Sequence, residues 1–151
     1  MKYRKGVFII CYRKEKNKIY YLLLKRKLHW RGWEFPKGGI EKSEPVLKAV
    51  KRETKEETGQ FPKNINNYKC EGKYKYNKKI NGREESGGSF ILYSCEIKNK
   101  KVKIDKREHS NYAWKTFDQT LKMLTWPNQR KSLRIVNNYI NNRTKKYQQS
   151  R

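Results

Sequence analysis

Glu53, Glu56 and Glu57 stand at positions i, i+3 and i+4. On a helix that spacing puts three carboxylates on one face. Three like charges side by side destabilise a helix unless a cation lies between them. Hard divalent cations favour such an all-oxygen setting, and Mg2+ is usually shared with phosphates. Ahead of the acids runs Gly38-Gly39-Ile40-Glu41-Lys42-Ser43-Glu44, whose two glycines let backbone approach a metal closely. Glu44 and Arg52 fall outside the tight cluster, about two turns apart and offset by roughly 80° on a regular helix. Both read as supports that pair with and orient the reactive carboxylates. A salt-bridged surface helix is the bland alternative. The fixed spacing from Gly38 to Gly59, with a Gly-Gly at its head, argues against it.

Gly38, five residues, Glu44, seven residues, Arg52-Glu53, then Glu56-Glu57 and Gly59 resemble the Nudix box at every invariant position. Thr54 and Gln60 depart from two hydrophobic slots of that box. Neither lies on the metal face, so they bear on local packing. Trp33-Glu34-Phe35-Pro36-Lys37 is similar to the family's approach to the box. The resemblance implies an α/β/α sandwich, a mixed sheet between helices. It also implies hydrolysis of a nucleoside diphosphate linked to another moiety. Glu53, Glu56 and Glu57 would then bind Mg2+, or Mn2+ as a substitute, helped by a main-chain carbonyl near Lys37. Gly38 and Gly39 would lie beside the substrate. Metals bridging phosphate oxygens would neutralise the leaving phosphate, and a metal-bound water would attack.

Arg107 to Trp114 and Leu124 to Arg130 resemble the diadenosine tetraphosphate hydrolase branch, with RNA pyrophosphohydrolases close by. In that branch a Glu just before the last strand binds metal or activates water, and Glu108 matches it. Glu57, Glu84 and Glu85 are the other candidate bases. Tyr76, Tyr112 and Trp126 are candidate platforms for an adenine. Lys37, Lys73, Lys75 and Arg130 are candidate phosphate contacts. His29 and His109 lack paired metal-ligand spacing, and surface positions are expected for both.

Elements must hold these groups in place. Strands are expected over 5–13 and 19–24, the second buried on both faces because its apolar run is unbroken. A loop follows over 28–43. A helix over 44–58 is expected to start at Ser43 as N-cap, to bury Leu47, Val50 and Thr54, and to stop at Gly59. Further strands are expected over 68–77, 88–97 and 112–117, with Asn81-Gly82 and Gly87-Gly88 as turn signals. Asp118 is a candidate N-cap for a helix over 119–124, and another helix is expected over 128–142. This gives one α/β domain over 1–142, with a basic, frayed tail over 143–151.

The chain of 151 residues carries 39 Lys+Arg against 14 Asp+Glu, a formal charge of +25. Charged residues reach 35%, above the usual ~25%, while aromatics at 13% argue against a disordered polycation. No apolar run nears the ~20 residues of a membrane span, so no membrane partner is expected. The start is too short for a secretory leader. Cys11, Cys70 and Cys95 form no CxxC, which suits reduced thiols and a cytoplasmic protein. The charge points to polyanions: nucleotides, polyphosphates or RNA. The leading expectation is a pyrophosphohydrolase of dinucleoside polyphosphates. The alternatives are an RNA 5′-pyrophosphohydrolase of the decapping type, and an RNA- or ribosome-associated Nudix-fold protein that holds a nucleotide.

Overall fold

The computed structural model describes residues 2–76 and 84–149, of which 145–149 by backbone alone. In chain order its elements are β1 (Tyr3–Glu15), β2 (Lys18–Arg26), β3 (Gly32–Glu34), β4 (Lys37–Gly39), α1 (Val46–Thr58), β5 (Lys63–Lys75), β6 (Gly87–Glu96), β7 (His109–Lys115), α2 (Phe117–Met123) and α3 (Pro127–Gln149). The sheet runs β3-β2-β1-β6-β5, with β4 on β1 and β7 on β2. It is mixed because β1 and β6 are parallel while the other pairs are antiparallel.

Strand alternation sends β1 into two cores. Phe8, Ile10 and Tyr12 join Phe90 and Leu92 under Leu133, Val136 and Ile140 of α3. Val7, Ile9 and Cys11 join Leu22, Leu24, Tyr93 and Cys95 under Val50 of α1. The expected α/β/α sandwich is therefore present, with α1 and α3 on opposite faces. Tyr21 to Leu24 are fully buried, as their unbroken apolar run requires. Cys11 and Cys95, opposed across β1 and β6, place their free thiols 3.6 Å apart.

β1 and β2 pair only from Tyr12–Tyr21 to Glu15–Lys18. Beyond that, β4 takes Gly6–Phe8 of β1 and β3 takes Leu24–Arg26 of β2. The segment expected as loop is thus threaded into the sheet, and Ile9 N–H donates to Pro36 O at 2.9 Å. This fixes Glu34, Gly38 and Gly39 against the strands beneath α1.

Several boundaries differ from the sequence reading. α1 starts at Val46 with Pro45 as an uncapped N-cap residue. The residue before a proline resists helical backbone, so Glu44 stays outside and Ser43, at φ 63°, does not cap. Leu47 is 47% exposed, and the buried face carries Ala49, Val50, Glu53, Thr54, Glu57 and Thr58. α2 is capped by Thr116, not Asp118, in a reciprocal box with Gln119. α3 takes Pro127 at its first turn and runs to Gln149, past the expected end at 142. The Asn81-Gly82 signal lies outside the described residues.

Candidate active site

The helix face that packs on the sheet ends in acids. Glu53 and Glu57 are 8% and 4% exposed, whereas Glu56 projects outward. Gly38 makes room for the first of them. A Cβ at residue 38 would overlap the Glu53 carboxyl, so a side chain there could enter only by displacing that carboxyl. Gly59 ends the helix in left-handed backbone, φ 77°, as its position foretold.

Arg52 ties one flank together. Its Nε and Nη2 donate to the two oxygens of Glu44 at 2.8 and 2.9 Å, a bidentate pair. Nη2 also donates to Gly39 O at 2.9 Å. Nη1 donates to Glu53 Oε1 at 2.7 Å and to Glu56 Oε2 at 3.4 Å. The Arg52 hydrogen bonds, with the Glu41 backbone N–H, hold Glu44 well below the usual carboxylate range, at about 2.

On the other flank, among the described residues, no Lys or Arg pairs with Glu57. Burial pushes Glu57 up to about 9, and the charges of Glu108, Glu53 and Glu34 push the same way. Burial also raises Glu53, to about 7, against the opposing pull of Arg52. His109 is not on the surface. It is 1% exposed at the start of β7, where the strand turns its ring inward between two glutamates. Nε2 lies 2.8 Å from Glu34 Oε2, and Nδ1 faces Glu57 Oε2 at 3.3 Å. Glu34 is itself fully buried. Burial alone would raise it, but Lys37, the His109 hydrogen bond and Arg26 outweigh burial and hold it ionised.

A divalent cation fits this set. Oxygens of Glu57 and Glu108 and a ring nitrogen of His109 lie within 4.8 Å of one another. Glu57 Oε2 and His109 Nδ1 are buried without a hydrogen-bond partner, and such orphans are uncommon in folded proteins. Glu53 and Glu56 line the same cleft, of about 970 Å³. Lys37 Nζ sits 5.2 Å from the Tyr74 ring centre and 5.9 Å from that of Trp30, so one ammonium stands between two aromatic groups. Tyr74 meets Tyr76 at 6.0 Å, and Trp30 meets Trp126 edge-on at 5.2 Å.

Residues 2–135 match the family model described as the NUDIX domain. The chain belongs to the Nudix family. Nudix domains generally use divalent metal cations. Over 63 residues this Nudix chain is 38% identical to an RNA pyrophosphohydrolase of Hydrogenovibrio crunogenus, covering 42% of this chain and 36% of the relative. The match thus spans about a third of that relative's length. The fold is similar to that of the C. elegans Ap4A hydrolase in a binary complex, with TM-score 0.74 and 24% identity over 92% of this chain and 98% of that one. It is also similar to the NUDIX domain of Shewanella oneidensis NrtR complexed with ADP ribose, with TM-score 0.74 and 16% identity over 93% and 90%.

The two departures from the Nudix box have local explanations. Thr54 is fully buried and donates to Val50 O at 2.7 Å. Gln60 donates to the carbonyls of Asn99 and Lys101 at 2.9 and 3.0 Å and accepts from Asn99 N–H at 3.1 Å. Polar contacts thus replace the apolar ones at both slots.

Among the residues expected at the site, Lys37, Gly38, Gly39, Lys75, Tyr76, Glu108 and Trp126 line the cleft of the Nudix chain with Glu53, Glu56 and Glu57. Glu44 and Arg52 brace it. Tyr112, Arg130, Lys73, Glu84 and Glu85 are not among its lining residues. Pairing with Leu24 turns Tyr112 onto the core under α1. Arg130 Nη1 donates to Leu124 O at 2.8 Å, closing the end of α2. Lys73 lies over the Tyr3 ring, and Glu84 pairs with Lys2 at 2.9 Å. The residues missed are Arg4, Trp30, Glu34, Tyr74 and the buried His109. A lone acid inside Trp33-Glu34-Phe35 was the available hint for Glu34. Nothing in the spacing pairs it with a residue 75 positions on.

Proposed function

We propose that this Nudix chain is a Mg2+-dependent pyrophosphohydrolase whose favoured substrates are dinucleoside polyphosphates. The observation that carries this reading is the junction of the carboxylate cluster with a cleft where Lys37 stands between two aromatic pairs. Glu53, Glu56 and Glu57 would hold the ion, which would supply charge neutralisation for the phosphates and lower the pKa of a bound water. Lys37, Lys75 and Arg4 bind the polyphosphate. The Tyr74–Tyr76 and Trp30–Trp126 pairs offer one stacking surface to each of two bases. Glu108, with its side chain 36% exposed and 3.6 Å from Arg26 Nη1, has open access to the cleft and takes the proton of the attacking water at its carboxylate. Glu57, nearly closed off, stays a ligand. The same chemistry on the 5′ end of RNA is the second reading. It is favoured by the relative named RNA pyrophosphohydrolase and by the charge of +25. A purely architectural role in a ribonucleoprotein would not call for the full set of acids.

The test is hydrolysis of diadenosine tetraphosphate against a 5′-triphosphorylated RNA oligonucleotide, each with Mg2+ at fixed salt. Faster release of mononucleotides from the dinucleotide supports the first reading, and the reverse order supports the second. No turnover of either, with Glu57→Gln indistinguishable from wild type, would sink both.

A further inference from the structure

We infer that His109 is a nitrogen ligand to the divalent cation, with Glu34 as its positioning residue, so that the site binds Mn2+ more tightly than the Mg2+ that also supports the reaction. The inference rests on the metal-dependent reading of the site but on no particular substrate. Its ground is the direction of the two ring nitrogens. Nε2 lies 2.8 Å from Glu34 Oε2 and is taken up by that hydrogen bond. Nδ1 is therefore the nitrogen turned toward the acids.

It faces Glu57 Oε2 at 3.3 Å, yet neither atom has a hydrogen-bond partner, although their side chains are only 2% and 5% exposed. A cation between Nδ1 and Glu57 Oε2 gives both orphans a partner, and a ring nitrogen of His109 already lies within 4.8 Å of oxygens of Glu57 and Glu108. The Glu34 contact completes a carboxylate–histidine–metal chain, the arrangement that fixes a ligating imidazole's tautomer and orientation. Lys37 Nζ at 3.3 Å and Arg26 Nη1 at 3.3 Å hold Glu34 in turn. The choice of ion follows from ligand type. Mg2+ takes oxygen donors and gains little from an imidazole, whereas first-row transition ions accept one readily. The competing arrangement is an imidazolium bridging Glu34 and Glu57 with no metal contact.

Electron spin-echo modulation of Mn2+ bound to the substrate-free protein separates the two. The chain has two histidines, so the origin of any nitrogen signal can be assigned. The expected result is modulation from one imidazole nitrogen that changes on histidine-selective 15N labelling, persists in His29→Gln and vanishes in His109→Gln. Calorimetry with the bare ions should show His109→Gln losing about 10–100-fold in Mn2+ affinity, with Mg2+ affinity far less affected. If His109→Gln does not fold, the labelled wild type and His29→Gln decide alone. Mn2+ bound with no nitrogen modulation, or modulation lost in His29→Gln, overturns the inference and leaves metal dependence standing. No binding of Mn2+ or Mg2+ overturns both.

Discussion

Arg52 and His109 flank the carboxylates of one helix and treat them in opposite ways. On the Arg52 side a guanidinium spends its donors on Glu44, Glu53, Glu56 and the Gly39 carbonyl, and Glu44 is held ionised down to about 2. On the His109 side two buried glutamates face each other across a ring, and burial drives Glu57 up to about 9. Where the chain's own cation meets both oxygens of an acid, as Arg52 does at Glu44, the acid is finished as structure. Where it does not, the acid is set up for a cation from outside. Glu57, which no such fork satisfies, is left for an outside cation, and Glu44 sets the positions of its neighbours Glu53 and Glu56 through Arg52.

The largest effect should come from removing the least satisfied acid. Glu57→Gln should lower turnover by roughly 10²–10⁴-fold, because it removes a ligand of a metal that contributes several kcal/mol, while making the metal-free protein more stable at alkaline pH. The sign follows from proton linkage. Unfolded, the Glu57 carboxyl titrates near its ordinary value of about 4.3. Folded, it keeps its proton to about 9. Across that window the folded state binds more protons, so metal-free stability from this group is full at low pH and is lost as pH rises through 9. The amide has no such slope. Melting curves with chelator at pH 6 and pH 9 check this. Parallel shifts in wild type and Glu57→Gln would erase the contrast between the two flanks.

Gly38→Ala tests the same contrast through sterics. The added methyl meets the Glu53 carboxyl at 1.8 Å and must push it aside. A displacement near 1 Å at a catalytic group costs on the order of 10²-fold. The expected outcome is a fall in kcat of that size with the fold retained, read from kinetics and circular dichroism together. Wild-type kcat in a folded Gly38→Ala would mean that Glu53 is not held where the chemistry needs it.

Glu44→Gln strikes the satisfied flank and should cost less, about 10–100-fold, because it acts through Arg52. Arg52→Lys should fall in the same range, since an ammonium cannot reproduce the bidentate fork. With Glu44 ionised down to about 2, its arm does not titrate above pH 4. An acid limb of the wild-type rate profile that survives unchanged in Glu44→Gln is the expected signature. Loss of that limb would place Glu44 among the titrating groups and blur the distinction from Glu57.

How far these flanks were legible in the sequence differs in the same way. The Arg52 side is local. Arg52, Glu53, Glu56 and Glu57 lie on one helix, where helical spacing put the three acids together, while Gly38 in β4 and Glu44 before the helix were grouped with them by the match to the box. The strands β1, β2 and β6 were legible too, because their apolar runs are long and rich in β-branched and aromatic residues. The His109 side is built by the sheet. β3 and β7 both pair with β2, through Leu24–Glu34 and Arg26–His109, and that brings Glu34 beside a ring far along the chain. No residue near His109 carries a mark of this, so its isolation in sequence suggested solvent. Tyr112 failed for a related reason: strand alternation decides its side, and the side faces α1.

The smallest effect belongs to Gln60, which stands in a slot of the box that favours an apolar residue. Its side chain makes three hydrogen bonds to the backbone of Asn99 and Lys101, fastening the loop after β6 to the end of α1. Each such bond adds about 0.5–1.5 kcal/mol net, and a half-exposed site keeps the total at the low end. Gln60→Leu should therefore lower Tm by roughly 2–4 °C per kcal/mol lost and leave kcat unchanged, because the residue lies past Gly59 and off the carboxylate face. Thermal melts and steady-state kinetics on the same preparation read both. A rise in Tm would show that apolar packing in that slot outweighs the polar fastening. A fall in kcat would show that the loop after β6 reaches the carboxylates, and would extend the satisfied flank of the site as far as residue 101.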